Sequence, residues 1–278
     1  GGRGACVKER TGAAVRPPKA IDLNPDVPVV VMEDIGPVPS FGRWLREADA
    51  EALEKRAAAQ GRRLGAFLGR LHAATCDDDR CADAFNNRPM QETRHAVQYQ
   101  GVADMLRKAG VGDADVLGRR AETLGRSLLG PGRCLTMGDL WPPSVLIASS
   151  TRLRIIDWEL AHYGRPLQDV AHWCAHLWMQ RQRAPSEAVA RAIVAHRDAF
   201  LGAYGEALGD TKDSLWDQAE RRDAAIHVGA ELLVRAVGPF QAGYVYAGLD
   251  VEHSAVRTAV ATAAEHLRAP AAADVLGR

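Results

Sequence analysis

The sequence predicts an α+β protein, in which a short β-rich start is followed by helices that surround a second, smaller β-rich centre. Two observations predict this. Strand-like apolar runs occur before residue 32 and then only between residues 134 and 156, and the remaining segments repeat apolar residues at three- and four-residue steps. Strands and helices therefore do not alternate as they do in βαβ units.

The first forty residues predict a hairpin that leads into a connector. Residues 19–23 are extended, Pro25 lies in a turn, and residues 27–31 form a mostly β-branched run. Gly36 and Pro37 then end the second strand. Because both runs are apolar, we expect a hairpin of buried strands.

Helical periodicity follows from Ser40 onward. A helix is expected from Ser40, a long one over 49–74, and two more over 91–108 and 113–129. The β-rich centre consists of three strand-like runs, at 134–136, 145–148 and 153–156. After Pro166 the pattern predicts four helices, over 167–183, 186–207, 213–236 and 251–267.

The composition is that of a globular protein. Of the 278 residues, 47% are hydrophobic, which is enough for one long domain or two closely packed ones. The 35 basic and 35 acidic side chains cancel, so the chain lacks the positive field of a nucleic-acid binder. No apolar run approaches the ~18 residues of a membrane span, and the start has no signal-peptide pattern. We expect a cytoplasmic protein whose partners are small molecules.

The cysteine pattern indicates reduced thiols. The cysteines are odd in number, scattered, and without CxxC spacing, which argues against a disulfide framework and a structural zinc site. They are Cys6, Cys76, Cys81, Cys134 and Cys174.

Two acidic residues stand at the ends of predicted strands in the β-rich centre. Asp139 follows the run 134–136 in a Pro-rich loop, and Asp157 follows the run 153–156. An acid at the end of a buried strand loses hydration unless a cation or a hydrogen-bond donor meets it. A short hairpin joins the two acids, so we expect both to project from one edge of the same sheet into one cleft. Phosphoryl transfer uses such a pair, one carboxylate to orient the attacking hydroxyl and one to hold Mg²⁺.

The motifs around these acids resemble the phosphotransferase enzyme family, which includes aminoglycoside phosphotransferases, choline and fructosamine kinases, and methylthioribose kinase. Asp139 lies in Met-Gly-Asp, similar to the family's HGDxxxxN motif, and Asp157 lies in Ile-Asp-Trp-Glu, similar to its IDxE segment. Pro166 opens a segment similar to the PxxDxA helix start. The resemblance covers roughly residues 16–205. It implies a protein-kinase-like fold, with a remnant of the nucleotide-binding lobe and the hinge in residues 1–36 and a helical lobe in residues 37–278.

The resemblance implies an ATP-dependent kinase that acts on a hydroxyl group of a small molecule, with a role for each matching residue. Asp139 would be the catalytic base. Asp157 would be the Mg²⁺ ligand, and Ser144 would assist it. Met32 and Glu33 would form the hinge, whose backbone groups meet the adenine edge of ATP.

Asp169 would have a structural role in this scheme, as a buried acid that braces the catalytic loop through backbone N–H groups. Three features depart from the family pattern. Met137 replaces the usual His, and Ser144 replaces the usual metal-binding Asn, although methylthioribose kinases resemble this chain in carrying Ser there. The Gly-rich loop and its Lys are not recognisable before the hinge, so we expect a truncated start. Lys8 and Glu9 are adjacent and cannot form the Lys–Glu ion pair of that lobe.

Other interpretations stay open. The chain could be a catalytically impaired or inactive binding or scaffold protein, which the missing Lys, Met137 and Ser144 favour. His172 and His176 have metal-ligand spacing, which allows a zinc hydrolase, but the Glu beside the first His is missing and helix packing is favoured. Trp141 either stacks on the acceptor or packs in the core. The sequence identifies neither the acceptor nor the oligomeric state, and it has no dense acidic patch that would indicate an aminoglycoside.

Overall fold

The strands of the chain form three small sheets. The computed structural model describes residues 14–24, 26–27, 29–49 and 51–271. Its strands are β1 (Val15–Arg16), β2 (Ala20–Asn24), β3 (Val29–Met32), β4 (Cys134–Thr136), β5 (Val145–Ser149), β6 (Arg152–Ile155) and β7 (His162–Gly164). One sheet has the order β1-β6-β5, with β1 parallel to β6, and the other two are the antiparallel pairs β2–β3 and β4–β7. Cys6, Lys8, Glu9 and Pro25 lie outside the described residues.

Most helices lie within the predicted segments, but the helix Asp79–Ala84 was not predicted, and the predicted helix over 91–108 is divided by a π-helical segment. The helices are α1 (Phe41–Glu47), α2 (Leu53–Ala74), α3 (Asp79–Ala84), α4 (Arg88–Arg94), α5 (Val102–Lys108), α6 (Ala114–Ser127), α7 (Leu167–Gln182), α8 (Glu187–Ala207), α9 (Lys212–Leu215), α10 (Gln218–Ala236) and α11 (Ser254–Arg268). A π-helical segment, His95–Gln100, lies between α4 and α5. No helix in the described part is long and apolar enough to cross a membrane. The four described cysteines form no disulfide bond with one another.

The β2–β3 hairpin forms as predicted, but its strands are not buried. Every residue of both strands is exposed. Ile21 and Leu23 each expose 63% of their surface, and Val30 exposes 53%. The prediction of buried strands is therefore wrong. A β-branched run indicates strand propensity, whereas burial needs a second layer, and no described element covers either face of this hairpin.

The centre of the helical part is α7. Its residues from Leu167 to Leu177 are all buried, as expected for a helix surrounded by other elements. α8 and α10 pack against it, and α10 also packs against α11. The ring of Trp173 in α7 lies 5.3 Å from that of Phe41 in α1, measured between centroids. This packing holds the first turns of α7 beside the loops of the small sheets.

Three glycines bring the backbones of α2 and α8 into close contact. Gly61, Gly65 and Gly69 recur every four residues and so lie on one face of α2. A Cβ atom added at Gly65 would lie 2.0 Å from the carbonyl oxygen of Phe200, and one at Gly61 would lie 2.2 Å from that of His196. The two helices can therefore approach this closely only where α2 has no side chain.

Substitution of Gly65 by Ala tests this contact. Because the added methyl group would overlap the backbone of α8, Gly65→Ala should lower the free energy of unfolding by about 1–3 kcal/mol. Gly202→Ala, a substitution on α8 itself, serves as the control, because the added Cβ atom meets nothing within 4 Å. That control should gain stability by helix propensity, on the order of 0.5–1 kcal/mol. Urea unfolding followed by circular dichroism measures both, and equal effects would contradict the close approach.

Candidate active site

One buried carboxylate holds the loop that carries Asp139. Asp169, in the first turn of α7, is fully buried and accepts hydrogen bonds from the backbone N–H groups of Met137 at 2.9 Å and Gly138 at 2.8 Å. Its Oδ2 atom also lies 3.1 Å from Nε2 of His72, near the end of α2. The prediction that Asp169 braces this loop through backbone N–H groups is confirmed.

The loop fits its surroundings only with Gly at position 138. Gly138 has a φ of 81°, and an added Cβ atom would lie 2.4 Å from the carbonyl oxygen of Leu160. A left-handed backbone with so close a neighbour excludes other residues. Met137, which replaces the His of the family pattern, points into the core and is 1% exposed. Since Asp169 binds backbone groups, these contacts do not depend on the side chain at position 137.

Asp139 extends from this loop between two basic side chains. Nη2 of Arg94 donates a hydrogen bond to Oδ1 of Asp139 at 2.8 Å, and Nε2 of His172 lies 3.3 Å from the same oxygen. Burial opposes ionisation of Asp139, but the adjacent side chain of His172 and the charge of Arg94 hold its pKa well below the ordinary value. The carboxylate is therefore ionised and held in a fixed orientation.

Asp157 follows β6 and lies within electrostatic reach of Asp139. Its backbone is left-handed, with a φ of 64°, and its side chain is exposed. Partial burial and the negative charge of Asp139 raise the pKa of Asp157 above its ordinary value. A divalent cation would stabilise the ionised form of Asp157, whose ionisation the charge of Asp139 opposes.

The two acids reach this position from different sheets. The strand before Asp139, β4, pairs with β7, whereas the strand before Asp157, β6, pairs with β5 and β1. The prediction that both acids project from one edge of the same sheet is therefore wrong. The reason is β7, a strand of three residues that the sequence pattern does not indicate and that takes the place of β5 beside β4. The predicted hairpin of β5 and β6 does form.

Ser144 is fully buried inside the loop that carries Asp139. Its hydroxyl donates to the carbonyl oxygen of Trp141 at 2.9 Å and accepts from the N–H group of the same residue at 3.2 Å. The oxygen also lies 3.3 Å from the carbonyl oxygen of Asp139. In this arrangement the hydroxyl stabilises the turn, and its role as a metal ligand stays a prediction.

Met32 and Glu33 lie at the end of β3. Met32 pairs with Ala20, and the N–H group of Glu33 donates to the carbonyl oxygen of Lys19 at 2.8 Å. The Glu33 carboxylate accepts two hydrogen bonds from Arg16, at 2.7 and 2.9 Å, and these lower the pKa of Glu33 to about 2. The predicted hinge is thus attached to β1, the neighbour of β6. Its contact with adenine stays a prediction.

A buried polar cluster lies behind Asp139. Nδ1 of His172 lies 3.7 Å from Oε2 of Glu231, and Nε2 of His176 lies 3.1 Å from Oε1. Glu231 also accepts hydrogen bonds from Gln98 at 2.9 Å and from Arg235 at 2.8 Å. Burial opposes ionisation of Glu231, but His172 and Arg235 hold its pKa well below the ordinary value.

The cluster has the donor atoms of a metal site but already has partners. The ligand atoms of His172, His176 and Glu231 lie within 4.8 Å of one another. Burial lowers the pKa of His176 to about 3, so its imidazole is neutral. Since Arg235 already neutralises Glu231, a cation would have to displace this contact. We therefore favour a structural role, in which His172 connects the cluster to Asp139.

Few sequence signals indicated these additional site residues. Arg94, Glu231 and Arg235 are charged residues on helices, where charged side chains are usually solvated. The i,i+4 spacing of Glu231 and Arg235 was the available signal, but it indicates an ion pair and not a site. Only the fold brings α4 and α10 to the same side of Asp139.

A cavity of about 260 Å³ opens beside Asp139. Its apolar lining comes from Met90, Val97, Trp141, Leu160 and Phe240, and its polar lining from Thr93, Arg94, Gln98, Asp139, His172, Glu231 and Arg235. Trp141 therefore lines the cavity as well as packing against the ring of Tyr244, 5.7 Å away between centroids.

Fold and site together define a kinase-like protein, and the comparisons with known proteins agree. The sequence model of the phosphotransferase enzyme family matches residues 20–226, and the chain belongs to this family. The 4-hydroxytryptamine kinase of Psilocybe cyanescens is 24% identical to it over 183 residues, which are 63% of this chain and 49% of that protein.

Solved structures of a glucosamine kinase share the fold. The structure of its crystal form B superposes with a TM-score of 0.53 at 19% sequence identity. The match covers 85% of this chain and 61% of the glucosamine kinase chain. The complex with glucosamine, ADP and inorganic phosphate has a TM-score of 0.52 at 17% identity, covering 84% of this chain and 59% of its own. The chain thus spans from about half to three fifths of the length of these relatives.

Substitution of Asp169 tests whether its carboxylate stabilises the loop that carries Asp139. In Asp169→Asn the amide NH₂ group would face backbone N–H donors, which leaves buried donors without a partner and should cost about 1–3 kcal/mol of the free energy of unfolding. Asp213→Asn, at an exposed position in α9, is the control and should change stability little. Denaturant unfolding measures both. Equal stability of the two variants would contradict the proposed support.

Proposed function

We propose that the chain contains the hinge and the helical part of an ATP-dependent kinase that phosphorylates a hydroxyl group of a small molecule. The observation that carries this proposal is the pair Asp139 and Asp157. One is an oriented, ionised carboxylate beside a cavity, and the other lies close enough for its pKa to be raised by the first. Membership of the phosphotransferase enzyme family supports it. A relative named as a kinase and a structural neighbour that contains ADP support ATP as the phosphate donor.

Asp139 is proposed as the catalytic base. It would accept a hydrogen bond from the acceptor hydroxyl and direct the oxygen at the γ-phosphorus. As the new O–P bond forms, the bond between the γ-phosphorus and the bridging oxygen of ADP breaks, and the hydroxyl proton passes to Asp139. Because Arg94 and His172 keep the pKa of Asp139 low, this proton would move late, when the hydroxyl has become strongly acidic.

Asp157 is proposed as the Mg²⁺ ligand, with Ser144 assisting. Carboxylate and hydroxyl oxygens suit this hard cation, and a positive ion would relieve the repulsion that raises the pKa of Asp157. When bound, the ion would neutralise charge on the nucleotide phosphates. Met32 and Glu33 would contact the adenine edge through backbone groups. We place such an enzyme in the cytoplasm.

We propose that residues 1–36 are a nucleotide-binding remnant and that residues 37–278 are a helical part. β1 connects the two proposed parts. β1 lies before the boundary but pairs with β6, the strand that precedes Asp157. The Arg16–Glu33 ion pair then attaches the predicted hinge to β1. Apart from the departures from the family pattern at Met137 and Ser144, no observation on the described residues favours the alternative of an inactive binding or scaffold protein.

Replacement of Asp139 tests the proposal. In the intact protein, Asp139→Asn should lower the turnover of ATP in the presence of acceptor by about 10²–10⁴-fold, because the hydroxyl loses its oriented proton acceptor. The affinity for ADP, measured by isothermal titration calorimetry, should stay within about twofold. Asp210→Asn, at an exposed position, serves as the control. Unchanged turnover in Asp139→Asn would remove the base assignment.

A further inference from the structure

The cavity beside Asp139 has room for a small ligand only. Its volume of about 260 Å³ lies below the ~300–1,000 Å³ typical of clefts for drug-sized molecules. The catalytic loop bounds it on one side, and α4, the π-helical segment and α10 bound it on the others. A sugar of several rings would exceed this space.

Each carboxylate in the cavity wall already has a cationic partner. Asp139 is bound to Arg94 at 2.8 Å, and Glu231 is bound to Arg235 at 2.8 Å. A ligand with several ammonium groups would therefore have to displace a guanidinium group from its carboxylate to form each ion pair. Such a ligand would gain little from this wall, because every new ion pair would replace an existing one.

The aromatic rings of the wall also have a cation beside them. The guanidinium carbon of Arg235 lies 4.9 Å from the ring centroid of Trp141 and 5.2 Å from that of Phe240, the two aromatic residues of the lining. It also lies 5.3 Å from the ring centroid of Tyr244, outside the lining. Ring faces of this kind attract organic cations, and here the protein supplies its own. The apolar side chains that remain in the lining, Met90, Val97 and Leu160, favour an uncharged ligand surface.

Three buried nitrogen atoms of residues that line the cavity form no hydrogen bond with any described residue: Nη1 of Arg94, Nε1 of Trp141 and Nε2 of His172. Nε2 of His172 lies 3.3 Å from Oδ1 of Asp139, which leaves Nη1 of Arg94 and Nε1 of Trp141 as the two donors without a partner. Buried donors without partners are costly, so such atoms in a ligand cavity indicate where a ligand supplies acceptor atoms. Oxygen atoms of a ligand would satisfy both donors. Ammonium groups would not, because they offer only further donors.

We infer that the phosphate acceptor of this chain is a small, flat, oxygen-bearing ring compound of low charge, such as a phenol or an aryl alcohol, and not a polycationic aminosugar. The inference rests on the proposed function, because it assigns the cavity beside Asp139 to the acceptor. Trp141 would contact the ring of the acceptor and donate from Nε1 to one of its oxygens. Arg94 would donate to an oxygen near Asp139, which places the reacting hydroxyl beside the proposed base.

Binding to the chain without nucleotide tests the inference. The probes are 7-hydroxycoumarin, a flat phenol with further oxygen acceptors, at pH 6 where it is uncharged, and kanamycin, a polycationic aminosugar. Isothermal titration calorimetry should detect 7-hydroxycoumarin, with kanamycin at least about tenfold weaker. Absence of 7-hydroxycoumarin binding, or kanamycin binding of equal strength, would overturn the inference.

Three variants locate the binding site. Trp141→Phe keeps a ring but removes the N–H donor, so it should weaken 7-hydroxycoumarin binding about fivefold, the effect of one neutral hydrogen bond. Trp141→Leu also removes the ring and should weaken it further. Trp178→Phe, on α7 beside a different surface groove, is the matched control and should leave binding unchanged. Equal effects of Trp141→Phe and Trp178→Phe would place the ligand elsewhere and overturn the inference.

A separate measurement distinguishes failure of the inference from failure of the proposed function. The intact protein is incubated with ATP, Mg²⁺ and 7-hydroxycoumarin, and phosphorylation of the phenol is followed by the loss of its fluorescence. Phosphorylation supports both proposals. Binding in the cavity without phosphorylation would contradict the assignment of 7-hydroxycoumarin as a phosphate acceptor. Phosphorylation of kanamycin but not of the phenol would overturn the inference, while the proposed function would stand.

Discussion

The site depends on the buried carboxylate of Asp169. It binds two consecutive N–H groups of the loop that carries Asp139 and also His72, so it joins this loop to both α7 and α2. In a buried setting such charge-assisted hydrogen bonds are strong, and the donors would be costly to leave without a partner. The loop therefore has one favoured position. Because its contacts are made by backbone atoms, the family's His at position 137 can be replaced by Met without losing them.

The position of the loop determines the chemistry available to Asp139. On one side Arg94 and His172 keep its carboxylate ionised, and on the other Asp157 experiences its charge. Although the acids follow strands of different sheets, the charge of Asp139 still raises the pKa of Asp157, together with partial burial. The polar cluster around Glu231 then supports His172 from behind. Each acid thus has a different environment, which suits one to orient a hydroxyl and the other to bind a cation.

Local sequence patterns predicted most of the secondary structure but not what surrounds it. The helices follow from apolar periodicity, and the β5–β6 hairpin from two strand-like runs, since these signals lie within a few residues of one another. β7 has only three residues and no alternating pattern, so the pairing of β4 was missed. The exposure of β2 and β3 was missed as well, because strand propensity carries no information on a covering layer.

The candidate site was predictable where a motif carried it and not where distant helices meet. Asp139, Asp157 and Asp169 came from motifs whose spacing is local. Arg94 and Glu231 are separated from Asp139 by 45 and 92 residues along the chain, and nothing in their own segments distinguishes them from solvated charges. The same holds for the glycines of α2, because the need for glycine there comes only from the close approach of α8. Such contacts depend on tertiary packing, to which single-sequence patterns are blind.

The most direct measurement is a double-mutant cycle for Mn²⁺ binding by the chain, followed by electron paramagnetic resonance. The account predicts that wild type binds Mn²⁺, that Asp157→Asn weakens the affinity by about tenfold or more, and that this effect changes when Asp139→Asn is also present, since close charges couple. Strictly additive effects, or Mn²⁺ affinity that does not depend on Asp157, would contradict the proposal that Asp157 binds the cation within reach of the charge of Asp139.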